Sequence, residues 1–315
     1  MTRLAVGVDL GGTNVRAALV DVDAGVVVGE ERKRPVAERD PEHVAALVTS
    51  LVDEVDPQQH RLGVGVGIAA MLRGFSGVVV NAPNFGWREV DFRSRLRAKL
   101  GDAVELYNDL KAISFGEVTW GAARGFGHVA FVFIGTGVGA GLVVDGRLDF
   151  GASHLCGELG HIKVVRGGRL CGCGQHGCLE AYVSGRHLQL RAQEELRAGA
   201  TSLVTSLAGS IEAVHAGLLD EAAGHGDAYA VRLWDEVASL LGVSLANLVT
   251  TLNPARLILG GGVWLGCAEL RRRTLGVFDI EVNAAHKEDF AIVDSKLGDI
   301  AGVLGAATLI AGPKA

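Results

Sequence analysis

Apolar runs of strand length alternate with glycine turns along the first part of the chain. Residues 4–9 and 15–20 are apolar runs typical of buried strands, and a glycine turn at 11–14 joins them. The same order recurs later, where strands at 129–134 and 138–144 flank a second glycine turn. Two hairpins of the same design at distant positions predict a duplicated unit.

Helical spacing fills much of the chain between these strands. Apolar residues recur at intervals of three and four from Val44 to Val55, and Pro41 stands where a first helical turn would begin. The segments "RLGVGVGIAA" and "AVELYN" add strands, so the pattern as a whole is typical of an α/β protein. The later helices are predicted at 109–121, 179–197, 227–250, 264–274 and 299–311.

The composition narrows the class of protein. The 315 residues are 49% hydrophobic and 21% charged, which is typical of a globular protein with one large domain or two ordinary ones. A net charge of -6 argues against a nucleic-acid partner, and the short basic run at 270–274 indicates a solvated helix face. Because no signal peptide or membrane-length apolar run is present, we expect a cytoplasmic protein without membrane association or disulfides.

Three glycine turns are candidate nucleotide-binding sites, and the first two are candidate phosphate sites, because a turn without side chains lets backbone N–H groups approach a ligand closely. The first two turns lead into strands, so they match neither the Walker A motif nor the dinucleotide fingerprint. An ordinary hairpin turn is the alternative. Two such hairpins would hold a nucleotide between them, with the third turn near its base or ribose and Asp9 near a metal. The candidate residues are Asp9, Gly11, Gly12, Thr13, Asn14, Gly135, Thr136, Gly137, Gly260, Gly261 and Gly262.

Polar groups at the ends of apolar runs are candidates for binding and catalysis. Asp109 follows Asn108 where a strand passes into a helix, so it is either a helix N-cap or a carboxylate that accepts a proton from a substrate hydroxyl. Glu158 and His161 in "GELGH" and Glu180 in "GCLEAY" add acceptors, although Glu180 also suits the first turn of a helix. Phosphate donors and hydroxyl acceptors together suit phosphoryl transfer to an alcohol.

Three of the five cysteines lie within eight positions of one another. They are Cys171, Cys173 and Cys178, and zinc usually takes four Cys or His ligands. Spacing alone does not decide the fourth ligand among three histidines, His154, His161 and His176. A closed four-ligand site would be structural, and a redox role of the thiols is the main alternative.

The chain carries "DLGGTNVRAALVD", "YND", "FIGTGVGAGLVVDG", "GELGH" and "CGCGQHGCLEAYVSG" in this order. Together these motifs resemble the ROK family of sugar kinases, and most closely its zinc-containing bacterial glucokinases, over essentially the whole chain. The resemblance implies the actin-like ATPase fold, which is ribonuclease H-like, with two duplicated α/β domains around a cleft. The expected domains are residues 1–108 with 298–315, and residues 109–297, which include the zinc-binding loop.

The resemblance also implies an activity with its cofactors and partners. It implies that ATP phosphorylates glucose at the 6-hydroxyl with Mg²⁺ and with Asp109 as general base, in a homodimer or homotetramer. Zinc would be structural, with His161 as the fourth ligand beside Cys171, Cys173 and Cys178. The zinc would hold the loop that directs three of the sugar contacts. The implied sugar contacts are Asn84, Asn108, Asp109, Glu158, His161 and Glu180.

Several alternatives remain within the same family. The acceptor could be N-acetylmannosamine, fructose or allose, and the donor could be polyphosphate. The family also includes non-catalytic sugar sensors and repressors, which carry an N-terminal winged helix-turn-helix. Because the first strand starts at about Leu4, the sequence leaves no room for that element, and a repressor is not expected.

Two segments depart from the pattern of the family. The segment "GIAAMLRG" has Ala69, Ala70 and Met71 where many relatives have a turn with glycine and proline. Relatives often have asparagine where this chain has Lys111, close to the expected base. We expect Lys111 to be an exposed residue of the helix.

Overall fold

The computed structural model describes residues 2–101 and 103–312. Within these residues the strands are β1 (Leu4–Leu10), β2 (Asn14–Asp21), β3 (Val26–Pro35), β4 (Val64–Ile68), β5 (Met71–Leu72), β6 (Val78–Ala82), β7 (Trp87–Asp91), β8 (Val104–Asn108), β9 (Val129–Ile134), β10 (Val138–Val144), β11 (Arg147–Asp149), β12 (Arg256–Gly260) and β13 (Ala291–Asp294). The helices are α1 (Pro41–Val55), α2 (Phe92–Leu100), α3 (Asp109–Trp120), α4 (Glu180–Val183), α5 (Gly185–Arg197), α6 (Val204–Ala208), α7 (Ala216–Gly224), α8 (Ala228–Leu252), α9 (Gly262–Gly266), α10 (Ala268–Glu281) and α11 (Ala301–Ala311). Short 3-10 turns cover Leu159–His161, Ala284–Lys287 and Gly298–Ile300.

The two five-stranded sheets share one strand order. The first sheet is ordered β3-β2-β1-β4-β8, and the second is ordered β11-β10-β9-β12-β13. In the first sheet, β1 pairs antiparallel with β2 and parallel with β4, which runs parallel to β8. In the second sheet, β9 pairs parallel with β12, which runs parallel to β13. The predicted duplication is confirmed by this repeated order.

Both faces of the first sheet are buried. On one face Val8 of β1 belongs to the same core as Val48 of α1, while on the other face Ala5 packs with Val303 of α11. Gly7 lets α11 approach the sheet closely, because a Cβ at this position would lie 1.9 Å from the Val303 carbonyl oxygen. The helix α11 therefore lies directly on β1.

The second sheet and its helices form a separate core. Every residue of β9 is buried, which is typical of a strand that is covered on both faces. The apolar stripe expected on α8 is confirmed as core, with buried residues that include Leu233, Val237, Leu241 and Leu245. Among the described residues, no helix is long and apolar enough to cross a bilayer.

By its internal contacts the chain divides into two compact units. The first contains the residues up to Gly127, Gly141–Gly157 and the residues from Ser295 onward, and the second contains His128–Ala140 and Glu158–Asp294. Residues 109–127 thus lie with the first unit, whereas the predicted first domain stopped at residue 108. The reason is that α3 packs on α11. Internal contacts do not test domain limits, so the predicted limits at residues 108 and 298 stay a prediction.

Glu117 of α3 contributes to this arrangement within the first unit. Its side chain is fully buried, and its Oε1 accepts the backbone N–H groups of Lys296 and Leu297, each at 2.8 Å. Its Oε2 accepts the N–H of Ala122 at 2.8 Å. A buried carboxylate that accepts three backbone donors ties the segment before α11 to α3.

Several local predictions differ from the structure. The helix expected at 179–197 is interrupted at Ser184, because this residue caps α5 by accepting the N–H of His187. The helix expected at 264–274 is two helices, α9 and α10, that meet at Cys267. The small sheet β5-β6-β7 was not predicted, because β5 is only two residues long and β7 carries the charged residues Arg88, Glu89 and Asp91.

Candidate functional site

The first glycine turn joins β1 to β2 and lies against Asn84. The N–H of Gly11 donates to the carbonyl oxygen of Asn14 at 3.0 Å, which closes the turn. A Cβ at Gly12 would lie 2.6 Å from the Cβ of Asn84, so only glycine fits there without a shift. Thr13 is exposed at the tip. The structure therefore brings Asn84, a predicted sugar contact, against a predicted phosphate turn.

Asp9 lies near the end of β1, opposite Arg16 of β2. A Cβ added to Gly302 would lie 3.1 Å from Asp9 Cγ, which places the carboxyl group beside the first turn of α11. Burial raises the pKa of Asp9 to about 6, against the attraction of Arg16 and with further repulsion from Asp299 and Glu31. A poorly solvated carboxylate of this kind gains from a bound cation.

Asn108 and Asp109 have distinct positions at the start of α3. Asn108 is the N-cap, because its side-chain oxygen accepts the N–H groups of Leu110 at 3.1 Å and Lys111 at 3.2 Å. Its amide nitrogen also donates to the Ala70 carbonyl at 3.2 Å. Asp109 is the first residue of the helix, so its interpretation as the N-cap is wrong.

Lys111 is buried, and its expected exposure is wrong. Its side chain is 3% exposed, and its Nζ donates to the carbonyl oxygen of Asp149 at 2.8 Å. The ammonium also lies 5.7 Å from the centre of the Phe150 ring. A partner 38 residues later in the chain covers this side chain, and local helix periodicity contains no sign of such a partner.

The second and third glycine turns lie together in the second unit. The N–H of Gly135 donates to the carbonyl of Gly137 at 3.0 Å, and a Cβ at Gly135 would lie 3.8 Å from the nitrogen of Gly262. Gly261 has a φ of 89°, and a Cβ there would meet the Ile134 carbonyl oxygen at 2.5 Å. Thr136 is exposed between its two glycines, and Gly260 ends β12.

Three thiols and one imidazole converge in the loop before α4. The ligand atoms of His161, Cys171, Cys173 and Cys178 all lie within 4.8 Å of one another. Cys171 Sγ lies 3.7 Å from His161 Nδ1, and Cys173 Sγ lies 3.7 Å from Cys178 Sγ. Sulfurs bound to one zinc at about 2.3 Å in a tetrahedron lie about 3.8 Å apart, so this donor set fits zinc.

The other two histidines lie elsewhere. His176 Nδ1 lies 2.9 Å from the Gly168 carbonyl oxygen, and His154 packs against Phe75 and Phe150 in the first unit. Neither belongs to the group of four ligand atoms in the described part of the chain. Geometry thus selects His161 from the three histidines that spacing left open.

The surroundings of the cysteine cluster shape its chemistry. Burial raises the pKa of the Cys171 thiol, so a metal would have to displace its proton. The Nζ of Lys163 lies 3.0 Å from Cys178 Sγ, where a cation stabilises a thiolate. The Tyr182 hydroxyl accepts the N–H of Arg169 at 2.8 Å, which fixes the loop from its far side. Sequence patterns did not single out Lys163 or Tyr182, although Tyr182 ends the motif "GCLEAY".

The predicted sugar contacts of the second unit surround this cluster. His161 Nε2 lies 3.7 Å from Glu158 Oε2, while its Nδ1 faces Cys171. Glu180 Oε2 accepts the N–H of Val138 at 3.0 Å, and its Oε1 lies 3.6 Å from Cys171 Sγ. Glu180 therefore links the cysteine cluster to the end of the second glycine turn.

The comparisons with known proteins agree with this geometry. Residues 5–312 match the ROK family. The chain belongs to the ROK family. A glucokinase of Thermotoga maritima is 33% identical over 97% of this chain and 96% of its own length. A xylose repressor of Caldicellulosiruptor bescii is 28% identical over 97% of this chain and 77% of its own length.

A solved ROK structure has the same fold. It is a ROK family glucokinase from Streptomyces griseus in complex with glucose and AMPPNP, with a TM-score of 0.83 and 31% identity. The match covers 97% of this chain and 98% of that one. The predicted actin-like ATPase fold with duplicated α/β domains is confirmed.

The predicted site residues of this ROK protein fall into two groups, one in each compact unit. The first unit contains Asp9, Gly11, Gly12, Thr13, Asn14, Asn84, Asn108 and Asp109. The second unit contains Gly135, Thr136, Gly137, Glu158, His161, Cys171, Cys173, Cys178, Glu180, Gly260, Gly261 and Gly262. Each unit therefore carries at least one glycine turn together with predicted sugar contacts.

Proposed function

We propose that this ROK protein transfers the γ-phosphoryl group of ATP to the 6-hydroxyl of glucose, with Asp109 as general base. The observation that carries the proposal is the division of roles at the start of α3. Asn108 is the N-cap of α3, and Asp109 is the first residue of the helix, where its Oδ1 accepts the N–H of Leu110 at 2.9 Å. The family relatives that are glucokinases support the choice of acceptor.

The broader class, an ATP-dependent sugar kinase, is confirmed by these relatives. The Streptomyces griseus relative was solved with glucose and AMPPNP. The Thermotoga maritima relative is a glucokinase, and this chain matches it over 96% of its length. An N-acetylgalactosamine kinase of Shewanella is also 28% identical over 82% of this chain, so the class alone does not fix the sugar. The glucose specificity and the role of Asp109 are therefore the substance of the proposal.

The proposed chemistry uses the residues of this chain in four roles. Asp109 accepts the proton of the sugar 6-hydroxyl while the hydroxyl oxygen attacks the γ-phosphorus of ATP and ADP leaves. The backbone N–H groups of the glycine turns bind phosphate oxygens. Asp9 would hold Mg²⁺ or its water, and bound Mg²⁺ would neutralise charge on the phosphates. The proposed sugar-binding side chains are Asn84, Asn108, Glu158, His161 and Glu180.

Zinc in this proposal is structural. The donor set of His161, Cys171, Cys173 and Cys178 would complete its coordination and leave no open position for water. With Nδ1 directed to the cysteines, the Nε2 of His161 stays on the side of Glu158. Zinc would thereby fix the orientation of His161 and of the loop that carries Glu158.

We propose glucose rather than an N-acetylated sugar as the acceptor because of the chemistry of the proposed contacts. Amide and carboxylate oxygens suit a ring with a hydroxyl at each carbon, and an unpaired polar group in such a site weakens binding. An N-acetyl group would need an apolar wall. In the altered turn, Met71 is half-buried and Leu72 is buried, and they are the residues that would provide such a wall.

A coupled ADP-release assay tests the proposed function. It compares kcat/KM for glucose, mannose, N-acetylmannosamine, fructose and allose, with ATP and with polyphosphate as donors. We expect glucose with ATP to give the highest value. A tenfold preference for any other sugar, about 1.4 kcal/mol in the transition state, would overturn the glucose assignment. Absence of turnover with every sugar would instead favour a sugar sensor.

The homodimer or homotetramer implied by the family also remains a proposal, which size measurement in solution tests.

A further inference from the structure

Lys111 is a buried charge that the proposed chemistry does not use. Lysine is rarely buried unless it is paired, because the ammonium loses its hydration. Here the side chain is 3% exposed, and Nζ donates to the Asp149 carbonyl at 2.8 Å while it lies 5.7 Å from the centre of the Phe150 ring. The side chain therefore joins the first turn of α3 to the end of β11.

The segment that Lys111 contacts is tied together internally. We call residues 149–157 the strap. Asp149 Oδ1 accepts the N–H of Gly151 at 2.7 Å, and Cys156 Sγ lies 3.6 Å from Asp149 Oδ2. The N–H of Cys156 donates to the Phe150 carbonyl at 3.1 Å. These bonds close the strap into a loop whose base is the residue that Lys111 holds.

The middle of the strap packs on a second segment through three rings. The ring centres of Phe75 and His154 are 4.3 Å apart, and those of Phe75 and Phe150 are 5.4 Å apart, both edge-on. His154 has a φ of 63°, a backbone conformation that few residues other than glycine adopt. We call Phe75, Phe150 and His154 the aromatic cluster.

One end of the strap is held beside α3, and its other end continues along the chain into Glu158. Lys111 stands two residues after Asp109, and the strap leads in sequence directly into Glu158. Phe75 follows the altered turn at Ala69–Met71, whose Ala70 carbonyl accepts a hydrogen bond from Asn108. The turn at Ala69–Met71 and Lys111 thus flank one loop.

We propose that Lys111 is a positioning residue for the acceptor sugar. It holds the strap against α3 and thereby restricts the movement of Glu158, the residue that follows the strap in the chain. The identity of the ligand in this inference rests on the proposed function, whereas the contact of Lys111 with the strap is independent of it. Lys111 acts through the strap and is not assigned a contact with substrate.

Cys156 provides a direct measure of the hold on the strap. It is half-buried, and it lies outside the four-ligand cluster. Burial raises the pKa of its thiol, with Lys111 acting against this shift and Asp149 adding to it. Loss of Lys111 would by charge alone make the thiol less reactive. Faster alkylation after removal of Lys111 therefore reports a looser strap and not a charge effect.

The first arm of the test measures alkylation of Cys156 by iodoacetamide in full-length, zinc-loaded protein, followed by mass spectrometry. Lys111→Met keeps most of the apolar stem and removes the charge and the hydrogen bond. We expect it to accelerate alkylation about tenfold or more, as loss of one charged hydrogen bond implies. Lys33→Met, at an exposed position of β3, is the control and should leave the rate unchanged. An unchanged rate in Lys111→Met overturns the proposed hold.

The second arm separates the hold from its role in sugar binding. Lys111→Met should raise KM for the sugar about tenfold while KM for ATP and thermal stability change little, and Lys111→Arg should restore part of the loss. Phe75→Leu, at a position 53% exposed, loosens the strap without loss of core and should act in the same direction. Equal increases in both KM values would exclude a role specific to the acceptor.

Protection by ligand distinguishes this inference from the proposed function. Saturating glucose should slow alkylation of Cys156 in the wild-type protein. If glucose is neither phosphorylated nor protective but Lys111→Met still accelerates alkylation, then the proposed function fails and the hold on the strap stands. If glucose is phosphorylated but gives no protection, then the assignment of the strap to the acceptor side fails alone.

Discussion

His161 directs its Nδ1 toward the sulfur of Cys171, at a distance of 3.7 Å. The other nitrogen of the same ring lies 3.7 Å from Glu158 Oε2. One imidazole thus joins a candidate metal-binding cluster to a predicted sugar contact. Loss of the cluster would release the ring and change the place of Glu158. A structural metal can in this way affect catalysis without contact with the substrate.

The first prediction concerns this cluster. Elemental analysis should find about one zinc per chain, and Cys171→Ser should lower both this content and the melting temperature, the latter by at least about 5 °C. Cys156→Ser, which lies outside the cluster, is the matched control and should retain zinc. Fully active, fully stable protein without metal would exclude a structural zinc.

The second prediction concerns the cap of α3. Asn108→Ala removes two hydrogen bonds to the helix and one to Ala70, so we expect a loss of about 1–2 kcal/mol in the free energy of unfolding, together with lower turnover. Asp40→Ala removes the equivalent cap of α1 and should cost similar stability with unchanged kinetics. Urea denaturation and steady-state kinetics measure both effects. If Asn108→Ala changes stability alone, then Asn108 is a helix cap and not a contact of the sugar.

The third prediction follows from the raised pKa of Asp9. Protonation competes with Mg²⁺, so kcat/KM at low Mg²⁺ should fall about tenfold per pH unit below about pH 6, and more Mg²⁺ should shift this limb to lower pH. Asp9→Asn should remove nearly all activity at every pH. Kinetics at several Mg²⁺ concentrations provide the test, and a pH profile that does not respond to Mg²⁺ would contradict the assignment.

The Asp9 carboxyl affects stability in the opposite direction: a higher pH favours the activity but lowers the stability of the folded protein. Because the pKa of Asp9 in the folded protein exceeds its ordinary value of 3.8, the folded chain binds more protons than the unfolded chain between about pH 4 and 6. The contribution of Asp9 to stability therefore falls as pH rises through this window. Asp9→Asn should be at least as stable as the wild type at pH 7, and urea titrations at pH 5 and 7 would detect the difference. A less stable variant at pH 7 would contradict the buried-charge account.

The parts of the site that were predicted from the sequence are those encoded by local chemistry. Glycine turns between strands, Asn108-Asp109 at a strand end and the spaced cysteines each have a physical signature within a few residues. The choice of His161 over His154 and His176 required the fold, because spacing along the chain does not give distances in space. The resemblance to the ROK family supplied that choice before the structure did.

The burial of Lys111 shows what could not be predicted. Its position on α3 is compatible with exposure, but its ammonium donates to the carbonyl of Asp149, which lies 38 residues later in the chain. A long-range contact thus decides the burial of Lys111, and neither periodicity nor composition predicts such a contact. The sheet β5-β6-β7 was missed for a different reason, because strands of two to five residues give too short a pattern to be recognised.

The central claim is that Asp109 is the general base, and Asp109→Asn tests it most directly. The amide keeps the shape of the side chain but cannot accept the proton, so kcat should fall about 10²–10⁴-fold. Calorimetry should at the same time show a Kd for glucose within about threefold of the wild-type value, because shape and most hydrogen bonds remain. A variant that binds glucose and retains near-normal kcat would contradict the account.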